Sequence, residues 1–307
     1  MDITEKIRKF LDSSPKPLIA ILGATATGKT NLALSIAKKF SGEIISTDSR
    51  QIYSEMPIAT DVILPEEQKG IPHHMLEISP PNKTLTLAEF TELTKQKIDE
   101  IHKRSCLPML VGGTGLYISA VTEEYDVPKV APNPALRAQL EKEATEHGNE
   151  YIHNKLRELD PEAALNIHPN NRRYVIRAIE INTETGEKKQ SSKGKSQYDT
   201  LLLGITRDRE EIYQRINDRV DVQVERGLLE EVQALLDKGY DETLPSMTSL
   251  GVKEIIPYLR GEMTLEECKE ILKRNTRKYA KRQLTWLKRY DNVLWLKPED
   301  IKELTSE

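Results

Sequence analysis

A chain of 307 residues is too long for one small core and points to roughly two domains. Its 37% hydrophobic and 31% charged residues fit a soluble globular protein, and no apolar run approaches the ~20 residues that a membrane-spanning helix needs. The net charge of −4 argues against an evenly basic nucleic-acid-binding surface, yet Lys273 to Arg289 holds eight Lys or Arg and no Asp or Glu.

The N-terminal stretch Met1 to Ser14 carries mixed charge without an apolar core, so no secretory signal is expected. Leu18–Leu22 reads as a strand. It runs into Gly23-Ala24-Thr25-Ala26-Thr27-Gly28-Lys29-Thr30, and a helix is expected from there to Phe40. A G-x-x-x-x-G-K-T loop between strand and helix is the context of a P-loop. Its amides and the positive end of the helix dipole attract a phosphate chain. Lys29 can neutralise phosphate oxygens, and the Thr30 hydroxyl can hold a magnesium ion.

Glu43–Ser46 is the next strand, followed by Thr47-Asp48-Ser49-Arg50-Gln51 and a Pro-rich loop region from Pro57 to Pro81. A carboxylate at Asp48 can serve as a general base, or as an outer partner of a metal or a loop cap. His73 and His74 are adjacent, so an extended backbone points them apart, and structural roles are expected rather than a metal pair. A helix is expected from Leu87 to Lys103 with Thr86 as its N-cap. Pro108–Val111 is a third strand. It ends in Gly112-Gly113-Thr114-Gly115 where many P-loop ATPases have a metal-holding Asp, which counts against ATP hydrolysis. The glycines allow close approach of a ligand, and Thr114 either bonds a leaving-group oxygen or caps the next helix.

From about Asn133 to Thr183 the pattern is helical without strands, with Leu156, Val175, Ile176 and Ile179 at helical spacing. Glu187 to Ser196 reads as a mobile lysine-rich loop. Thr200–Ile205 returns as a strand. Helices follow over Arg209–Glu225, Leu228–Lys238, Val252–Leu259 and Leu265–Arg289, with a short last strand at Asn292–Leu296. Alternating strands and helices imply an α/β fold, a P-loop parallel sheet flanked by helices, interrupted by an all-helical insertion. The expected division is 1–125 with 200–307 for the sheet domain and 126–199 for the insertion.

On the last long helix Arg274, Arg277, Lys278, Lys281, Arg282, Lys288 and Arg289 form a basic stripe suited to a phosphate backbone. Arg219, one Arg on a helix, carries no signal by itself. Cys106 and Cys268 lie far apart, so neither a disulfide framework nor a zinc site is expected, and a reducing cytoplasmic compartment fits.

The ordered set of blocks resembles the tRNA dimethylallyltransferase family along almost the whole chain. The blocks are the P-loop, Asp48-Ser49-Arg50-Gln51-Ile52-Tyr53, Gly70-Ile71-Pro72-His73-His74 and Val111-Gly112-Gly113-Thr114-Gly115-Leu116-Tyr117. They continue through His168-Pro169-Asn170-Asn171, Arg177-Ala178-Ile179-Glu180 and Gly227-Leu228-Leu229-Glu230-Glu231-Val232, and end in Thr276-Arg277-Lys278-Tyr279-Ala280-Lys281-Arg282-Gln283-Leu284-Thr285-Trp286. The resemblance implies that Asp48 acts as general base on an adenine amine and that Thr114 and Arg219 contact a pyrophosphate leaving group. It implies that Lys29 and the loop Gly23, Ala24, Thr25, Ala26, Thr27, Gly28, Thr30 cradle that pyrophosphate, with Mg2+ on Thr30. It assigns tRNA contacts to Asp48, Ser49, Arg50, Gln51, Arg173, Arg177, Arg277, Lys281 and Arg282, with the insertion gripping the anticodon stem-loop. Implied substrates are dimethylallyl pyrophosphate and tRNA, and the implied enzyme is a monomer without a membrane partner. Ala24 for a common Pro, Tyr174 for a common Arg and Val252 for a frequent aromatic depart from the family pattern. A nucleoside or nucleotide kinase shares the P-loop and an Asp near the second strand, but needs no basic stripe.

Overall fold

A computed structural model describes residues 2–123, 130, 132–186 and 196–305. The first segment supplies α1 (Ile3–Ser13), β1 (Pro17–Leu22), α2 (Lys29–Phe40), β2 (Gly42–Ser46), β3 (His73–His74), α3 (Leu87–Lys103), β4 (Leu107–Gly112) and α4 (Gly115–Thr122). Helices α5 (Pro134–His147), α6 (Asn149–Leu159), α7 (Pro161–Asn166) and α8 (Arg172–Thr185) follow. The last segment holds β5 (Asp199–Ile205), α9 (Arg209–Glu225), α10 (Leu228–Asp237), α11 (Val252–Leu259), α12 (Leu265–Leu287), β6 (Leu294–Leu296) and α13 (Pro298–Thr305). The chain divides into two compact units, Met1–Glu123 with Ser196–Glu307, and Glu124–Lys195. Apart from Ser196, the lysine-rich loop expected at 187–196 lies outside the described residues.

In the first unit the described strands form one parallel sheet in the order β3-β2-β4-β1-β5-β6. Alternation along β1 sorts its side chains to two faces. Ile19 and Ile21 pack with Leu32 and Ile36 of α2, while Leu18, Ala20 and Leu22 pack with Phe90 and Ile98 of α3 and Ile118 of α4. Helix α3 starts where the sequence places it. Thr86 Oγ1 accepts the Glu89 N–H at 3.2 Å, and Glu89 returns the bond to the Thr86 N–H at 2.8 Å. His74 has a structural role: its Nε2 meets Glu43 at 2.6 Å and Arg104 grips the same carboxylate at 2.8 Å, fastening the β3 edge, while His73 Nδ1 lies 2.8 Å from Ile71 O.

Register fixes where ligands can sit. Leu22 pairs with Gly112 and Ser46 pairs with Val111, so β1, β2 and β4 end level. The loops that follow them, with the P-loop, Asp48 and Thr114, therefore emerge side by side at the carboxyl end of the sheet. Helix α12 passes this end. Its first half joins a core of Ile52, Met56, Val220 and Leu228, while Ala280 packs on Ala24 and Leu287 on the sheet.

The second unit has its own core of Leu140, Ile152, Leu156, Val175, Ile176 and Ile179. Within it Glu180 is fully buried and takes both Arg137 Nε and Nη2 at 2.7 Å, the Asn133 N–H at 2.7 Å and Arg177. Burial would raise its pKa, but the arginine bonds outweigh burial and hold it down at about 2. A depressed carboxylate contributes stability that is full above its ordinary value of 4.5 and is lost as pH falls toward 2. Glu180→Gln is therefore expected to cost about 2 kcal/mol at neutral pH. Thermal unfolding of both proteins from pH 6 downward checks this: the gap closes in acid, and a gap independent of pH sinks the ion-pair account.

Candidate active site

The carboxyl end of the sheet opens into a cavity of about 710 Å3, built within the first unit. Thr25, Ala26, Gly28, Lys29 and Thr30 of the P-loop line it with Asp48, Ser49, Arg50 and Gln51 from beyond β2. Gly112 ends β4 and Gly113 follows it, Arg215 and Arg219 come from α9, and Tyr279, Arg282 and Gln283 from α12. Asp48, Lys29 and Arg219, remote in sequence, thus share one wall system.

The P-loop is held by its carbonyls. Lys29 Nζ donates to Ala24 O at 2.8 Å, Arg215 Nε to Ala26 O at 2.7 Å and Arg207 Nε to Thr27 O at 2.6 Å. A peptide N–H points opposite to its C=O. Fastening the Thr27 carbonyl to Arg207 turns the Gly28 N–H to the other side of the loop. Gly28 has φ +99°, a conformation that side-chain-bearing residues rarely adopt, and it opens α2, whose positive end meets the cavity. Burial pushes the Lys29 pKa down to about 8, against the charge of Asp48, with Arg219 adding to the fall and Asp61 opposing it. An anionic ligand would restore full protonation there.

Asp48 Oδ1 accepts the Arg50 N–H at 2.9 Å, an Asx turn that sets the carboxylate at the rim of β2. Its negative charge also reaches Tyr279 and Tyr117, whose pKa values burial first raises, in each case to about 12. Thr114 occupies the N-cap position of α4 but caps nothing with its side chain. Its Oγ1 accepts the Ser49 N–H at 3.2 Å, tying the Asp48 loop to the β4 loop from just outside the cavity lining. Arg219 Nη1 meets Asp61 Oδ2 at 2.8 Å.

The glycines after β4 also serve the protein's own packing, while Gly112 and Gly113 line the cavity. A Cβ on Gly112 would lie 2.6 Å from the Thr47 backbone carbon, one on Gly113 2.0 Å from Gln283 Nε2 and one on Gly115 2.0 Å from the Trp286 ring. A close approach is made here by the protein itself, with the Trp286 ring packed over Gly115. Gln283, which stood in the last family block without a role, exploits that gap. Its Nε2 donates to Gly113 O at 3.1 Å and its Oε1 accepts the Thr25 N–H at 2.9 Å, so α12 clamps two phosphate-facing loops together. Arg207 and Arg215 were also missed; a cation just past the end of β5, beside β1, was the available signal for Arg207.

The expected RNA-facing residues fall into different situations. Lys281 and Arg282 are exposed on α12, and Arg282 also lines the cavity. Arg277 bonds Asn217 Oδ1 at 2.6 Å and is half-buried. Gln51 spends its amide internally, on Ser46 Oγ at 2.8 Å and Asp61 O at 2.8 Å, and Arg50 binds the Pro245 carbonyl. In the helical unit Arg173 is exposed, whereas Arg177 is committed to Glu180 and to Val130 O at 2.9 Å. Among the described residues, no group of three His, Cys, Asp or Glu is placed to hold a metal, and no helix is long and apolar enough to cross a membrane.

The sequence model of the IPP transferase family matches residues 51–290. A tRNA dimethylallyltransferase of Alkaliphilus oremlandii is 50% identical over 284 residues, 91% of each chain, and one of Acetivibrio thermocellus is 47% identical over 92% of each. Among solved structures, the full-length tRNA isopentenylpyrophosphate transferase of Bacillus halodurans is similar with TM-score 0.70 and 42% identity over 94% of both chains. A eukaryotic dimethylallyltransferase acting on tRNA reaches TM-score 0.80 at 31% identity, over 95% of this chain and 76% of the other. With the family pattern matched from Gln51 to Tyr290 around a P-loop cavity of this construction, the chain belongs to the IPP transferase family.

Proposed function

We propose that this chain transfers the dimethylallyl group of dimethylallyl pyrophosphate to the exocyclic N6 amine of the adenosine 3′-adjacent to the anticodon in tRNA, releasing pyrophosphate. The observation that carries this reading is the meeting, in one cavity, of an intact P-loop with Asp48 and Arg219, beside a β4 that ends in glycines instead of a metal-holding carboxylate. A pyrophosphate site without that carboxylate suits departure of pyrophosphate from carbon rather than phosphoryl transfer.

In the transfer, the N6 lone pair forms a bond to the allylic C1 while the C1–O bond breaks and its electrons pass to pyrophosphate. Asp48 takes the proton from N6. Lys29, Arg219 and the P-loop amides face the charge that grows on the leaving group, where fixed donors act most strongly. An adenine is reached only out of its stack, so the base is expected to enter the cavity flipped. Thr30, exposed on the first turn of α2 and lining the cavity, is the residue whose hydroxyl would hold a Mg2+. Bound there, Mg2+ would supply further charge to the leaving group. Arg173 and the exposed cations of α12 would hold tRNA. We further propose that the helical unit grips the anticodon stem-loop, and that the protein works as a cytoplasmic monomer.

Unmodified tRNA, dimethylallyl pyrophosphate and Mg2+ incubated with the protein should give an adenosine heavier by one dimethylallyl group on digestion and mass spectrometry. Phosphorylated nucleoside from a parallel reaction with ATP, and no prenylated adenosine, would support a kinase instead.

A further inference from the structure

Arg219 is paired with a carboxylate that no sequence motif singles out. Asp61 Oδ2 accepts its Nη1 at 2.8 Å, while Arg219 Nε is buried without a partner among the described residues. Both residues line the cavity.

The Asp61 side chain is partly exposed, but its position does not depend on the side chain alone. The backbone leading to it is fastened from three directions. Glu231 on α10 accepts the N–H groups of Ile58 and Ala59, each at 2.8 Å. Gln223 Nε2 donates to Ile58 O at 2.7 Å, and Gln51 Nε2 donates to Asp61 O at 2.8 Å. Gln223 lies one turn beyond Arg219 on α9, so the same helix holds the segment and the guanidinium that the segment meets. Asp61 itself sits at φ +55°, a left-handed conformation that a residue with a side chain adopts at some cost. A strained residue held by its surroundings, with its carboxylate on a residue of the site, marks a fixed feature of that site.

We propose that Asp61 is a positioning residue for pyrophosphate departure: it grips Arg219 by Nη1 and so holds the guanidinium in place on the wall of the cavity that receives the leaving group. The proposal rests on the reading of the cavity as a pyrophosphate site. At rest the pair carries no net charge, so Arg219 adds little to the attraction of the incoming substrate. Its contribution comes as negative charge builds on the departing pyrophosphate, when a held guanidinium is aligned and a loose one is not. Losing Asp61 should therefore lower kcat and leave KM unharmed.

Asp61→Asn is the chosen probe, because Asn tolerates the left-handed backbone and removes the charge, whose effect on Lys29 is the same with or without Arg219 and is read separately in the Arg219→Gln background. With dimethylallyl pyrophosphate and unmodified tRNA, kcat is expected to fall about tenfold, less than for loss of an oxyanion donor outright, with KM for the pyrophosphate substrate unchanged or lower. In an Arg219→Gln background the same substitution should change kcat less than about twofold, because the residue through which Asp61 acts is gone. Should the thermal midpoint of Asp61→Asn drop, Asp61→Gly, which accepts positive φ freely, should reproduce the kcat loss. An unchanged or raised kcat would make Asp61 a mere competitor for Arg219 and overturn the proposal, as would an equal loss in the Arg219→Gln background. Failure of the unsubstituted protein to prenylate tRNA overturns the reading of the site itself, and the role of Asp61 with it.

Discussion

Asp48→Asn should lower the single-turnover rate of prenyl transfer by about two to four orders of magnitude, the usual span for a positioned general base. tRNA affinity should stay within about twofold, because one neutralised carboxylate among many charges alters little of a polyelectrolyte interaction. The substitution isolates the proton-accepting role. Asn keeps an Oδ1 that can still accept the Arg50 N–H, now made at 2.9 Å, so the turn after β2 survives. The Thr114 to Ser49 bond at 3.2 Å, which ties this loop to the β4 loop, does not involve the Asp48 side chain. What is lost is a basic oxygen at the cavity rim for the proton that N6 must shed. Saturating enzyme over labelled tRNA, with dimethylallyl pyrophosphate in excess, gives the rate directly. A normal single-turnover rate combined with lost tRNA binding would reassign Asp48 to recognition.

Much of the scaffold was legible because local signals agreed with one another. Thr86 as an N-cap announced the start of α3, and Gly28-Lys29-Thr30 after an apolar run announced α2. The parallel sheet followed from strands alternating with helices. Other elements escaped for definable reasons. Helix α4, Gly115–Thr122, was anticipated only through Thr114 as a possible cap, because it is buried on nearly every side and no period of 3.6 separates its faces. Helix α1 has Ile3, Ile7 and Phe10 at helical spacing, but its apolar stripe is narrow and packs with the remote Leu304 of α13. At the site, conspicuous types in a known spacing were found, whereas Gln283, Arg207 and Asp61 were not. Each matters through a partner distant in sequence: Thr25 with Gly113, Thr27, and Arg219. The Gly112–Gly115 turn was located correctly, but its packing on Thr47, Gln283 and Trp286 was not legible, because a sequence shows that a Cβ is absent and not what fills the space.

Replacing Lys278, Lys281 and Lys288 together by Gln should weaken tRNA binding by about two orders of magnitude at 0.1 M salt. The structure narrows the basic run before this prediction can be made. Lys273 is buried against Asp221 at 3.1 Å, so it offers no charge to a partner, and Arg277 is engaged with Asn217 and the Tyr213 ring. Lys278, Lys281 and Lys288 are exposed and have no ion-pair partner among the described residues, so their charge is available to phosphates. Arg282, which lines the cavity and lies over the Tyr279 ring, is left intact so that the substitutions test the outer face alone. Each phosphate neutralised releases counterion, and the logarithm of the binding constant falls with the logarithm of salt by about 0.7 to 0.9 per contact. Three lost contacts should therefore flatten the slope by about two to three units, and extrapolation to about 1 M salt should bring the variant and the parent together. Filter binding or anisotropy of unmodified tRNA between about 50 and 300 mM salt reads both quantities. A variant that binds more weakly with the parent's slope has lost something other than phosphate contacts, and the outward face of α12 then belongs to another partner.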